Sequence, residues 1–151
     1  DGADEATKNM DLIKGGGAAL TGEKILVGKS DKFICIIDES KLVDNLGKFP
    51  VPLEITQAAF YKSDLAQELV KLGGQPSLRM DANMNSPIIT EHGNYIYDVS
   101  FKKISDPLKL YKQIQQLADG RILTIGLFLE KFSADLIIMA KKNGDITLIG
   151  S

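Results

Sequence analysis

Lys32-Phe33-Ile34-Cys35-Ile36-Ile37, ended abruptly by Asp38-Glu39-Ser40-Lys41, is the stretch on which the fold turns. Five consecutive apolar residues without alternation are the pattern of a strand buried on both faces, as in a parallel sheet. Loops at the carboxyl ends of such strands are where α/β sheets bind ligands. Upstream, Lys14-Gly15-Gly16-Gly17 runs into Ala18-Ala19-Leu20-Thr21-Gly22-Glu23-Lys24-Ile25-Leu26-Val27, which reads as a flexible turn feeding a helix. Downstream, Gly47 and Phe49-Pro50-Val51-Pro52 break the chain and mark a lobe boundary.

The segment after that boundary has a clear order. Leu53–Thr56 is expected as a strand, and Gln57–Leu72 as one helix stopped by Gly73-Gly74. Ser77–Met80 is a short strand. Pro87–Thr90 and Tyr95–Phe101 read as hairpin arms around Glu91-His92-Gly93-Asn94. Asp106-Pro107 caps a helix carrying Leu108, Leu110, Tyr111, Ile114 and Leu117, and Arg121–Phe128 is a further strand. The order β-α-β-β-α-β is the ferredoxin-like split unit. Residues 48–129 are therefore expected as an α+β lobe inserted into a Rossmann-like α/β domain made of 1–47 and 130–151. In the last part, Ala134–Ala140 and Asp145–Ile149 flank Lys142-Asn143-Gly144, a strong hairpin signal.

Composition narrows the function. The chain has 151 residues, with 18 basic and 20 acidic side chains and a net charge of −2. That balance lacks the basic footprint of a nucleic-acid binder. No apolar run reaches the roughly 20 residues of a membrane span. One cysteine, Cys35, excludes an internal disulfide framework and fits a reducing compartment, so a cytoplasmic location is expected. One histidine, His92, excludes a His-rich metal site. Residues 1–47 and 130–151 would hold one helix, one buried strand and one hairpin. So small a body buries little surface, and one parallel strand needs neighbours. The expectation is that an N-terminal segment is missing from this chain, and that the chain alone has little or no activity.

Four clusters carry chemistry. Asp1-Gly2-Ala3-Asp4-Glu5 places three carboxylates beside a glycine, either as ligand groups or as a solvated turn. Lys14 and its three glycines precede a helix, where free N–H groups can receive an anion or merely connect elements. Glu23 lies on that helix, either facing solvent or facing a site. Asp38-Glu39-Ser40-Lys41 follows the buried strand, with Lys41 able to meet a phosphate and Asp38 or Ser40 able to cap a helix. Together they suit a small, anionic, hydroxyl-bearing ligand better than a metal cage. His92, Cys35, Tyr95, Tyr97 and Phe101 read as solvated or packing residues.

These stretches, with Leu46-Gly47-Lys48-Phe49-Pro50, Gly93-Asn94-Tyr95-Ile96-Tyr97-Asp98 and Gly126-Leu127-Phe128, closely resemble ribose-5-phosphate isomerase of the A type across essentially the whole chain. The resemblance implies a Rossmann-like domain with a ferredoxin-like lobe, and an N-terminal phosphate loop that these residues do not include. It implies interconversion of D-ribose 5-phosphate and D-ribulose 5-phosphate through a cis-enediol(ate), in the non-oxidative branch of the pentose phosphate pathway. It implies no metal or organic cofactor and a homodimer or homotetramer. By position, Glu23 matches the general base. Asp1, Asp4 and Lys14 match residues that hold the sugar oxygens, assist ring opening and move the hydroxyl proton. Gly2, Ala3, Gly15 and Gly16 fall among the substrate-lining positions, and Lys41 matches a lysine at the phosphate end. Gly22 and the irregular stretch 81–86 depart from the pattern. Two rival readings are a non-catalytic sugar-phosphate effector module and a Mg²⁺-dependent phosphoryl enzyme using Asp1, Asp4 and Glu5.

Overall fold

A computed structural model describes residues 1–150. Its elements run β1 (Glu5–Ala6), β2 (Leu12–Ile13), α1 (Leu20–Lys29), β3 (Ile34–Asp38), β4 (Val51–Ile55), α2 (Gln57–Lys62), α3 (Leu65–Lys71), β5 (Gln75–Leu78), β6 (Tyr95–Ser100), α4 (Pro107–Leu117), β7 (Ile122–Ile125), β8 (Leu127–Phe128), β9 (Leu136–Ala140) and β10 (Ile146–Gly150). They form three sheets, ordered β1-β2-β8, β10-β9-β3 and β5-β6-β4-β7. The four-stranded sheet is antiparallel throughout, with its first strand β4 inside and its last strand β7 at an edge. That is the ferredoxin-like arrangement expected from the element order.

Two apolar clusters hold the molecule together. One packs Leu53, Ile55, Tyr95, Tyr97 and Val99 of the four-stranded sheet against Leu65 and Leu69 of α3 and Leu110 and Ile114 of α4. The other gathers Cys35 and Ile37 of β3 with Ile137, Met139, Phe128 and Phe33. Cys35 is a core residue, and burial raises its pKa. Asp106 caps α4 by accepting from the Lys109 amide, with Pro107 at the first helical turn. The Asn143-Gly144 turn joins β9 to β10, as its dipeptide dictates.

Four expectations need correction. Strand β3 is parallel to β9 but is buried on one face only. Ile34 and Ile36 are 44% and 58% exposed, and by register they share a face with Ile138, Leu148 and Ile146. Among the described residues nothing covers that apolar face. The helix expected over 57–72 is two helices. Ser63 is extended, and its hydroxyl donates to the Ala59 carbonyl and accepts from the Leu65 amide, so it competes with the helix ladder. Residues 87–90 form no strand arm; the Thr90 amide donates to Asn94 O and the Gly93 amide to Thr90 O in a tight turn. The strand expected over 121–128 is broken at Gly126, where the chain leaves the four-stranded sheet for the small one. A Cβ there would lie 2.5 Å from Lys14 O and 2.7 Å from Pro52 O, so only glycine fits the crossing.

Candidate functional site

The small sheet assembles the site by register. β1 and β2 pair antiparallel, with Glu5 opposite Ile13, so residues 1–4 and 14–17 leave the sheet side by side. The Asp4 amide donates to Ile13 O at 2.9 Å, and the Lys14 amide donates to Gly126 O at 3.0 Å. Asp1 lies along β3: its nitrogen donates to Ile34 O at 3.2 Å and its carbonyl accepts from the Ile36 amide at 2.8 Å. Helix α1 then brings Glu23 in from its first turn.

Lys14 sits at the centre with a side chain 2% exposed. Its Nζ lies 3.2 Å from Asp1 Oδ2 and 3.2 Å from Glu23 Oε1, and it donates to the Gly2 carbonyl. Two of its donors thus meet hydrogen-bond acceptors, Asp1 and the Gly2 carbonyl, and Glu23 is held as an ion pair. The Phe33 and Phe128 rings lie beside the ammonium, at 5.8 and 5.7 Å from their centroids. A buried cation needs such partners, because desolvation otherwise expels it. Glu23 keeps a quarter of its side chain open to solvent and Asp1 half. Asp1, Gly2, Ala3, Asp4, Lys14, Gly15, Gly16, Gly17 and Glu23 line one cavity of about 230 Å³. The lining carries three carboxylates and one ammonium, a surface suited to hydroxyl groups.

The glycine turn is tighter than a free anion cradle. The Gly16 amide donates to Asp4 Oδ2 at 2.8 Å, and a Cβ on Gly16 would lie 2.4 Å from Asp4 Oδ1. An internal carboxylate therefore already takes this N–H, and Lys14 is left as the cationic donor of the cavity.

The other candidates lie outside this cavity. Lys41 ends a short 3-10 turn, Glu39–Lys41, capped by Asp38. The Ser40 hydroxyl and amide hold the Asp38 carboxyl below its usual range. Lys41 borders an adjoining cavity of about 240 Å³ with Lys48, Ser40, Phe49 and Asp4, so Asp4 is the shared wall. Glu5 turns away: its buried carboxylate accepts from the Gly47 and Phe49 amides at 2.9 and 2.7 Å. Asp1, Asp4 and Glu5 accordingly do not converge as one ligand set. Among the described residues no group of three His, Cys, Asp or Glu side chains is placed to hold a metal ion. Nor is any helix there long and apolar enough to cross a membrane.

One residue escaped the sequence reading. Arg79 donates through Nη1 to Gly15 O and Gly16 O at 3.0 and 3.1 Å, while Nε and Nη2 grip Asp98 at 2.9 and 2.6 Å. It clamps the glycine turn to the four-stranded sheet. The only signal available was that Arg79 is one of two arginines in the chain.

Comparison with known proteins bears on the family and the fold. A family model described as ribose 5-phosphate isomerase A (phosphoriboisomerase A) matches residues 1–144. The chain is 48% identical over 149 residues to ribose-5-phosphate isomerase A of Francisella tularensis, covering 99% of this chain and 62% of that protein. Its fold is similar to the crystal structure of ribose 5-phosphate isomerase A from Neisseria gonorrhoeae, with a TM-score of 0.86 and 38% identity, over 99% of this chain and 62% of that one. It is similar also to a D-ribose-5-phosphate isomerase solved in complex with phospho-erythronic acid, with a TM-score of 0.89 and 38% identity, over 100% of this chain and 63% of that one. The chain thus spans about three fifths of the length of these relatives.

Proposed function

Because the chain belongs to the ribose 5-phosphate isomerase A family, we propose that it supplies the proton-transfer half of an aldose–ketose isomerase site acting on D-ribose 5-phosphate and D-ribulose 5-phosphate. The observation that carries this reading is the ion pair of Glu23 with buried Lys14 in a carboxylate-lined cavity. The effector reading offers no reason for that pair. The relative bound to phospho-erythronic acid adds support. A phosphorylated polyhydroxy acid bears a carboxylate where an enediolate bears its charge.

The chemistry follows from the groups present. In the open-chain aldose, the Glu23 carboxylate takes the proton from C2. The electron pair forms the C1–C2 double bond and charge develops on O1, where the Lys14 ammonium stabilises it. The hydroxyl proton moves from O2 to O1, with Asp1 and Lys14 at hand. The protonated Glu23 then returns its proton to C1, leaving the ketone at C2. Asp4, held by Gly16, faces the sugar oxygens and assists ring opening. The lining of Gly2, Ala3, Gly15 and Gly16 brings backbone close to the sugar. Lys41 lies beyond Asp4, which supports a phosphate end on that side.

In the same proposal, residues 1–47 and 130–151 form the catalytic α/β domain and 48–129 the ferredoxin-like lobe. The enzyme works in the cytoplasm, in the pentose phosphate pathway, as a homo-oligomer. The test is Glu23→Gln in protein expressed from the full reading frame that encodes these residues. Turnover is expected to fall by roughly 10²–10⁴-fold with unchanged circular dichroism. Near-normal turnover of this variant refutes the base assignment. The 151-residue chain assayed alone is expected to show little or no isomerisation. Full activity there would show that these residues suffice.

A further inference from the structure

One face of β4 packs into the core through Leu53 and Ile55. The other carries Pro52 and Glu54 toward α1 and the glycine turn. Glu54 is 1% exposed, in the middle of the sheet, where a carboxylate is costly unless fully hydrogen-bonded. Its Oε1 accepts from Thr90 Oγ1 at 2.7 Å and Asn94 Nδ2 at 3.1 Å, and His92 Nδ1 lies 3.7 Å away. Its Oε2 accepts from Thr21 Oγ1. Thr21 Oγ1 also lies 2.6 Å from Thr124 Oγ1. A hydroxyl has one proton. Since Thr21 gives its proton to the carboxylate, Thr124 must donate to Thr21. The network has one direction, and Glu54 is its sink.

This network meets the site through α1. That helix has little apolar grip: Leu20, Lys24 and Val27 are buried, whereas Ile25 and Leu26 are exposed. Its cap residue Ala19 offers no side-chain hydrogen bond. The rotation of the helix about its axis therefore depends on polar anchors, Lys24 on the Ile125 and Leu127 carbonyls and Thr21 on Glu54. Thr21 and Glu23 are two residues apart, about 200° round the helix. Holding Thr21 against the sheet turns Glu23 to the opposite side, toward Lys14. The turn that carries Thr90 and Asn94 lies over the same place, since a Cβ on Gly22 would come within 3.3 Å of Glu91 Oε1.

We infer that Glu54 is a positioning residue of the isomerase site, acting through Thr21 to hold Glu23 at the reacting carbons. The inference rests on the proposed function. Displacing a base by about 1 Å can cost on the order of 10²-fold in rate without loss of binding. A role confined to joining sheet and helix would instead cost stability and leave turnover per folded molecule alone.

The test uses protein from the full reading frame, with kcat and KM measured separately and folding followed by circular dichroism. Thr21→Val, which keeps shape and removes the donor, is expected to lower kcat roughly 10- to 100-fold with KM within about threefold. Thr21→Ser, which restores the hydroxyl, is expected to return kcat to within about threefold of the unmutated protein. Glu54→Gln provides a second reading should Thr21→Val fail to fold. Its amide reverses the hydroxyl chain, and kcat is expected to fall about tenfold. A folded Thr21→Val protein with kcat within threefold of normal overturns the inference, as does a Glu54→Gln protein with unchanged kcat if that is the variant that folds. An unmutated protein that isomerises no phosphopentose overturns the proposed function, and the inference with it.

Discussion

Lys14 and Lys24 lie ten residues apart and both are buried, yet their surroundings are opposite. Lys14 faces two carboxylates and a carbonyl. Lys24 donates to the carbonyls of Ile125 and Leu127 at 2.7 and 2.9 Å and sits among the rings of Tyr111, Phe128 and Phe132, with no carboxylate partner among the described residues. Burial brings the Lys24 pKa down to about 7. The difference separates chemistry from construction. An ammonium held among anions is available to a developing negative charge, whereas one held among carbonyls and rings ties α1 to the strands beneath it. Phe128 serves both, its ring centroid lying 5.7 Å from the Lys14 ammonium and 4.9 Å from that of Lys24.

The largest effect that tests this contrast is on turnover. Lys14→Met in the full protein is expected to lower kcat by about 10²–10³-fold, whereas Lys24→Met keeps it within about tenfold. Steady-state kinetics of the pair decides it, and equal losses would erase the distinction. Next in size is the clamp on the turn that follows Lys14. Arg79→Lys cannot hold Asp98 with two parallel bonds and reach two carbonyls as well. It is expected to cost roughly 1.5–3 kcal/mol, read from the urea midpoint at unchanged slope. An unchanged midpoint would make Arg79 dispensable to the Lys14 region. The smallest effect concerns Lys24 and pH. The native amine loses its proton near pH 7 and the unfolded one near 10.5. Below pH 7 both states bind the proton, and between the two values only the unfolded chain does. Stability therefore rises with pH across that window. The Tm of the unmutated chain, less that of Lys24→Met, is expected to climb by a few degrees from pH 7 to pH 8. A flat difference would place Lys24 among carboxylates after all.

Much of the architecture was legible because it rests on local chemistry. Asp106-Pro107 announces α4, Asn143-Gly144 announces the β9–β10 turn, and the element order announces the sheet of β5-β6-β4-β7. The nearness of Asp1, Asp4 and Lys14 to one another was legible because the motif stretches meet through the pairing of β1 with β2. What escaped depends on groups far apart in sequence. Arg79 reaches Gly15 across 64 positions, and Glu54 reaches Thr21 across 33. No periodicity reports such contacts. Ser63 broke a helix that the apolar spacing had joined, because its hydroxyl takes the Ala59 carbonyl that a backbone N–H would hold in a continuous helix. The run at 34–37 promised two buried faces and delivered one, since composition reports what a strand can bury and not what lies against it.

The crossing at Gly126 couples placement to orientation. Its carbonyl holds the Lys14 amide, its own amide holds Pro52 O, and no side chain separates the two strands it joins. Any swivel of the four-stranded sheet relative to the small one must drag the ammonium with it. The angle between the sheets and the position of the cation are thus a single mechanical coordinate, and a hinge elsewhere in the molecule would be felt first at the Lys14 cavity.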